Sequence, residues 1–558
     1  MEKYAMKKLT KTAMVLCAAA GVLSLVIFIP QVREMVIGIV ERLRGQMIEH
    51  EVGHRKLIAI EIEFLLLVST GVFLLSGNSI GKNFGLNGKT AKLLSWAFVG
   101  TVSVCLVIVA GISGDIWVDE TFSLGLARHG IKDLVSLTAQ DTLPPLYYVL
   151  LRLAMILFPN SVFAAKIVSV VPVVLLLCAA TAFFAKEYSY RSALLFNALL
   201  ASTYSVLQYA VEIRMYSWSL LFCGLCAISS WYMIKTGSLK SFLAYVIFAE
   251  CGAYCHHWTA FGLALHFALV SVLCLVKDRK SLKNILIAAS VGVALYLPWA
   301  FVVVRQVSRV VGNFWIPRIT AKKFIEFILT VIPLLGIAKI AAIAFISWLF
   351  VLCATIVRKK ELNGCYLLAC LLTPFLLILC ATVISLAVRP MFVSRYVLPM
   401  IAFVVFFIVL ACEECRVNKK FVFVFICLAL LCSAVSIGVL FRSEKSVART
   451  DRAFEEMMRE HLTERTVFVF GKTINSHIPC CIAYRYPHNR IYGYGISELW
   501  ASVYFYDRKN LIDNLDGESD LCLVLPQDEE PPSEFAGVEP IEAKMSTYPA
   551  HKFYFVKR

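Results

Sequence analysis

Long apolar runs separated by short polar loops fill most of the chain between residues 13 and 440. A bilayer core takes about 20 apolar residues per helix. Windows of that kind fall at 13–29, 57–76, 93–113, 162–185, 193–211, 215–234, 241–257, 258–276, 285–303, 337–357, 365–388, 396–412 and 421–440. They predict an α-helical polytopic membrane protein with about 13 transmembrane helices. The pattern changes at Arg442: a charged helical stretch at 450–461, β-type runs at 467–470, 521–525 and 553–556 and a Pro531-Pro532 loop predict a small soluble α/β domain. The expected organisation is an N-terminal helical extension at 1–91, a transmembrane domain at 92–441 and the α/β domain at 442–558.

Composition agrees with this pattern. The chain of 558 residues is 59% hydrophobic and 16% charged, with a mean hydropathy of +0.76. Soluble domains are roughly half apolar and about a quarter charged. The net charge of +16 does not point to nucleic acid, because many of the cations sit in loops between apolar runs, where topology sorting puts them. With the N-terminus inside, the basic loops around Lys89 and Lys92, Lys186 and Arg191, Lys235 and Lys240, Lys277 to Lys283, Arg358 to Lys360 and Arg416 to Lys420 are cytoplasmic. The segments around 114–160, 304–323 and 389–395 and the C-terminal domain are then extracytoplasmic. This describes a multi-pass protein of the cytoplasmic (plasma) membrane whose unusual residues face outward.

Lys3, Lys7, Lys8 and Lys11 before the apolar run at 13–29 imitate a signal peptide, but no small-x-small cleavage site follows, so a retained first helix is expected. Of 19 cysteines most lie in apolar runs and read as small hydrophobes; Cys480, Cys481 and Cys522 lie outside them with no connectivity to infer. Segment 31–56 reads as an amphipathic surface helix. Its His50-Glu51-Val52-Gly53-His54 matches a zinc-peptidase pattern literally, yet Gly53 weakens the helix and no convincing third ligand follows. Tyr484, Tyr486, Tyr492, Tyr494, Trp500, Tyr504 and Tyr506 would either stack on a sugar or, as aromatic clusters more often do, form core or membrane-interface contacts.

The chemistry concentrates outside. Gly114-Asp115-Ile116-Trp117-Val118-Asp119-Glu120 sets paired acids just past a membrane helix, an expensive place unless they are solvated or used. Asp141-Thr142-Leu143-Pro144-Pro145-Leu146-Tyr147-Tyr148 follows, an acid before a rigid start to an apolar helix. Two further elements are Tyr209-Ala210-Val211-Glu212-Ile213-Arg214-Met215-Tyr216 and Arg395-Tyr396-Val397-Leu398-Pro399. In order and spacing these four elements resemble those of the membrane-embedded GT-C glycosyltransferases, the superfamily of protein O-mannosyltransferases, aminoarabinose transferases and many bacterial relatives. The resemblance covers residues from about 92 to 440. Leu143 stands where protein O-mannosyltransferases carry His, and Val211 where bacterial relatives often carry Gln, which argues against a true protein O-mannosyltransferase.

The resemblance implies a GT-C fold and transfer of a sugar from a polyprenyl-phosphate donor to a lipid, glycan or protein acceptor, among membrane lipids. The acceptor hydroxyl must lose its proton as it attacks, and the expected catalytic residues are Asp119 as the base and Glu120, which orients the acceptor or Asp119 itself. Asp141 and Glu212 are expected to bind acceptor or a metal, or, for Glu212, to fix Arg214. Arg214 and Arg395, with Arg305 and Arg309 of the acid-free stretch 304–323, are expected at the donor phosphate; lipid headgroups explain that basic stretch equally. His256, His257 and Tyr147 are candidate substrate contacts. Relatives differ in their use of a divalent cation, and the carboxylates here suit either case. A polytopic transporter of a lipid-linked or anionic substrate is the alternative, but it would place charges near mid-bilayer on broken helices. Glu250 and His266 are expected to hydrogen-bond within the bundle.

Overall fold

The computed structural model describes residues 87–112, 114–312, 316–332, 362–414 and, with gaps, 417–558. The expected helices at 13–29, 57–76 and 337–357, segment 31–56 with its His50 and His54, and Tyr494, Trp500, Tyr504 and Tyr506 lie outside the described residues. Helix α1 (Gly88–Ala110) leads into a long connection that folds as α2 (Val118–Arg128), α3 (Ile131–Gln140) and α4 (Leu146–Leu157). Then come α5 (Val162–Glu187), α6 (Tyr190–Ser202), α7 (Tyr204–Ala210), α8 (Tyr216–Thr236), α9 (Leu239–Ala253), α10 (His257–Lys277) and α11 (Ser281–Gly312). After α12 (Ala321–Thr330) follow α13 (Leu362–Ala387), α14 (Ser394–Val397), α15 (Ile401–Glu414) and α16 (Lys419–His461). Among the described residues eight stretches are long and apolar enough to cross a membrane: α1, α5, α8, α10, α11, α13, the run from α14 through α15, and α16. The chain is a multi-pass membrane protein.

The apolar window at 193–211 splits in two. Ser202 and Thr203 turn their hydroxyls onto the Leu199 carbonyl, at 2.7 and 3.3 Å, and so compete with helical pairing where the break falls. The Ser202 carbonyl accepts from Ser436 of α16 at 2.8 Å, and the Ala198 carbonyl from Ser433 at 2.8 Å. In a bilayer such freed groups need a protein partner, and here the partner also fastens α6 to α16. His266 is satisfied inside the bundle, as the sequence leads one to expect, by Thr373 Oγ1 at 2.9 Å and Ser230 Oγ at 3.2 Å. The stretch 304–312, expected in a loop, continues α11.

Helix α15 is the centre of the bundle, buried from Ile401 to Cys412. Phe406 meets Phe183 and Phe184 of α5 at ring separations of 5.3 and 5.5 Å. At its start the 3-10 turn Leu398–Met400 comes against α10 at Gly262. That turn sets where Arg395 stands.

The C-terminal residues form a six-stranded sheet of order β3-β2-β1-β4-β6-β5. Strands β1 (Val467–Phe470), β2 (Arg490–Tyr492), β3 (Leu511–Ile512) and β4 (Leu521–Pro526) run parallel, and β5 (Ile541–Ala543) and β6 (His551–Val556) close the sheet antiparallel. Helix α17 (His477–Arg485) joins β1 to β2. The 43 residues of α16 span about 65 Å at the helical rise, twice the hydrocarbon thickness, so α16 carries the chain from the bundle to the sheet without interruption. There Phe454 packs on Phe553 at 5.7 Å. The same apolar cluster takes in Ile116 and Phe122 from the α1–α2 region and Tyr147 from α4. Cys480, Cys481 and Cys522 are buried in the core of this unit.

A Cβ at Gly262 would lie 2.6 Å from the Met400 methyl, which can swing aside, and 3.3 Å from Leu377 Cδ2. Gly262→Ala is therefore expected to be tolerated. Gly262→Val is expected to cost about 1–3 kcal/mol by overpacking, read as a lowered melting temperature of the detergent-purified protein.

Candidate active site

Three separated pieces of chain meet at one end of the bundle. The first is the start of α2, where Asp119 and Glu120 occupy the first turn, the helix end whose dipole favours carboxylates. The second is the turn between α7 and α8, carrying Glu212 and Arg214. The third is α14, carrying Arg395. Glu120 is buried and braces the first two: its Oε1 accepts from the Ile213 amide at 2.8 Å and its Oε2 from the Trp117 amide at 3.1 Å. The Trp117 indole donates to Glu212 Oε1 at 3.1 Å. Glu212 thus faces Trp117 and forms no ion pair with Arg214.

With the backbones so tied, Arg214 donates to the Asp119 carbonyl at 3.0 Å, and its Nη2 stands 3.6 Å from Asp119 Oδ2. Arg395 Nη2 reaches the same oxygen at 3.3 Å. The Arg395 guanidinium also lies 5.5 Å from the Trp117 ring centre and 5.9 Å from that of Tyr396. Asp141, at the end of α3, is close enough for its charge to act on Arg214 and Asp119. The structure therefore gathers Asp119, Asp141, Arg214 and Arg395.

Burial governs the other acids. It raises the Glu120 carboxyl against the pull of Lys166 and two backbone amides. It raises Glu212 to about 8, helped by the charge of Glu120 and opposed by Arg214. It raises Asp141 to about 6, although the Thr142 amide and Arg214 lower it. His256 is driven well below its usual value by burial, then by His257 and the two guanidiniums.

His256 sits between aromatic rings, 5.7 Å from Tyr216 and 4.7 Å from Tyr396. His256 Nδ1, the Tyr216 hydroxyl and Arg214 Nε are buried with no hydrogen-bond partner among the described residues. Unpartnered polar atoms at that depth are what a ligand or water would satisfy. Beside them opens an apolar cavity of about 320 Å³ lined by Thr142, Leu143, His256, His257, Trp258 and Tyr396, among others. His257 Nε2 is 2.9 Å from Gln306 Oε1, and the Gln306 amide donates to the Thr138 carbonyl at 3.0 Å.

Other expected residues stand further off. Tyr147 is fully buried, its hydroxyl 3.4 Å from Ser169 Oγ, which in turn donates to the Arg214 carbonyl at 3.3 Å, so it supports the arginine from behind. Arg305 is exposed and belongs to no ion pair among the described residues; Arg309 is on the same helix. Sequence reasoning passed over Gln306 and Tyr148, the latter fully buried against Arg214. Tyr148 stands in the element Pro144-Pro145-Leu146-Tyr147-Tyr148, where it was available to be found, whereas nothing local marks Gln306. Among the described residues no three His, Cys, Asp or Glu side chains converge as a metal site. Tyr484 lies under Arg128 at 4.5 Å and Tyr486 donates to Glu455 at 3.1 Å, both contacts inside the protein.

The Glu212 shift sets a stability test. Its folded value is raised from 4.5 to about 8, so the native state holds a proton that the unfolded chain has released. The associated stability is full below about pH 4.5 and is lost as pH rises through about 8, at a slope of up to about 1.4 kcal/mol per pH unit. Glu212→Gln, which keeps an acceptor for Trp117, is expected to flatten the fall in melting temperature between pH 5 and pH 9.

No known protein family matches the chain, and no curated protein matches its sequence. Solved structures do match its fold. ArnT from Cupriavidus metallidurans in the apo state superposes with a TM-score of 0.57 at 11% identity, over 82% of this chain and 97% of that one. ArnT bound to undecaprenyl phosphate gives 0.56 at 12% identity over the same shares. The chain thus shares the fold of ArnT over 82% of its length.

Proposed function

We propose that the chain is a membrane glycosyltransferase that moves a sugar from a polyprenyl-phosphate carrier to a lipid, glycan or protein acceptor, inverting the anomeric configuration. The observation that carries this is the single oxygen Asp119 Oδ2 set between Arg214 and Arg395 beside an apolar cavity. A prenyl chain needs hydrocarbon walls and its phosphate needs cations; Tyr396 lines that cavity next to Arg395. ArnT, whose fold is similar, has been solved with undecaprenyl phosphate bound, which supports the same class of carrier here. The basic short loops favour an orientation with the site and the sheet on the extracytoplasmic face of the cytoplasmic membrane. The transporter reading is not favoured, since the charged groups sit in turns and at helix ends.

Asp119 offsets one of the two guanidinium charges and leaves the site with a net positive charge. A phosphate offers them more charge and more acceptor oxygens, and takes them over. The carboxylate so released accepts the proton of the acceptor hydroxyl as its oxygen attacks the anomeric carbon. The bond from that carbon to the phosphate oxygen breaks, its electron pair leaves on the phosphate, and Arg214 and Arg395 hold the charge. One displacement inverts the configuration. Glu120 and Glu212 keep the two loops in register, and Asp141 faces the acceptor.

The test is transfer from a panel of labelled polyprenyl-phosphate sugars by the native protein and by Asp119→Asn. The variant is expected to lose about 10²–10⁴-fold in turnover while binding undecaprenyl phosphate at least as tightly, because an anion competing for the arginines is gone. Equal turnover in the two proteins would remove Asp119 from the reaction.

A further inference from the structure

The α/β unit does more than sit on the bundle. Arg485, the last residue of α17, pairs with Asp115, Asp451 at 2.6 Å and Glu455 at 2.9 Å. The Arg485 side chain is 9% exposed and that of Asp115 2%. Asp451 and Glu455 belong to α16; Asp115 precedes Asp119 by four residues, in the irregular stretch that enters α2. Around the ion cluster the two units share other contacts. Thr121 Oγ1 lies 3.9 Å from Cys481 Sγ, the Arg128 guanidinium covers the Tyr484 ring at 4.5 Å, and His129 Nε2 is 3.4 Å from the Val503 carbonyl.

We infer that Arg485 is a positioning residue for the transfer reaction, anchoring the entry of the Asp119 loop to the C-terminal unit through Asp115. The argument follows the chain. Residues 114–117 form neither helix nor strand, so their course is set by what grips their side chains and by the Trp117 amide bonded to Glu120. Arg485 grips Asp115, Glu212 grips the Trp117 indole, and Arg214 with Arg395 grips Asp119. Breaking the Arg485–Asp115 pair from either side removes the side-chain contact that fixes Asp115 in place, and the stretch is then free to shift. Trp117 and Asp119 then shift together. A displacement of about 1 Å at a reacting group costs about 100-fold in rate, whereas the arginines that meet the donor come from other elements and stay in place. The effect therefore falls on the rate of the bound complex more than on donor affinity.

The inference rests on the transferase reading above, so the experiment carries two readouts. Full-length protein is compared with Arg485→Gln, Asp115→Asn, Arg485→Lys and, as a change in the same unit away from the cluster, Asp520→Asn. In the transfer assay Arg485→Gln and Asp115→Asn are expected to lower kcat by about 10- to 100-fold with the donor KM within about 3-fold. Arg485→Lys recovers part of the loss and Asp520→Asn leaves both constants unchanged. Hydrogen exchange read by mass spectrometry over 114–128 is expected to quicken about 10-fold or more in the first two variants, whether or not transfer has been measured. Should Arg485→Gln fail to fold, Asp115→Asn, nearly isosteric, makes the same break. Unchanged exchange and unchanged kcat in a folded Asp115→Asn overturn the inference. Quickened exchange in a protein that transfers no sugar leaves the anchor standing and removes the transferase reading instead.

Discussion

Two guanidiniums that approach one another repel unless an anion stands between them, and at this site the anion is one oxygen of Asp119. The arginines come from the α7–α8 turn and from α14, and the carboxylate from the start of α2, so the arrangement exists only if three distant stretches are held to within a few tenths of an ångström. Much of the surrounding structure serves that end. Glu120 ties the α2 entry to the α7–α8 turn through two backbone amides, Glu212 repeats the tie through Trp117, and Ser169 holds the Arg214 carbonyl. On the far side, the close approach of the Leu398–Met400 turn to Gly262 places Arg395.

The division of labour among the acids follows from burial. Asp119 has a side chain 24% exposed and lies where a second molecule can reach it. Glu120 spends both oxygens on backbone amides and so has none to offer a substrate, whereas Glu212 gives one oxygen to an indole. The sequence marks all three alike, as acids near the ends of apolar runs. Their roles separate only when depth and hydrogen-bond partners are known, since a carboxylate that accepts two amide protons is a brace whatever its motif.

Some of this was legible in the chain and some was not, for physical reasons. Bilayer thickness imposes a run length, so α1, α5, α8, α10, α11 and α13 stand out as unbroken apolar windows. The split between α6 and α7 does not, because it depends on two hydroxyls and on a serine more than two hundred residues away. Asp119, Arg214 and Arg395 were readable because their neighbours form recognisable elements. The grip of Arg485 on Asp115 was not, because a pair 370 residues apart leaves no local pattern.

Composition turns polar at Arg442, yet α16 passes that point without a break and delivers Phe454 and Met458 to a core shared with Ile116, Phe122 and Tyr147. A change in residue types reports where the surrounding medium changes from lipid to water. It says nothing about where one hydrophobic core ends and another begins, since an apolar cluster at the membrane rim is filled from whichever elements reach it. Here the loop that carries Asp119 is too short to build a core of its own and too polar to enter the bilayer. It is packed between the bundle below and the sheet above, and its geometry is the joint product of both.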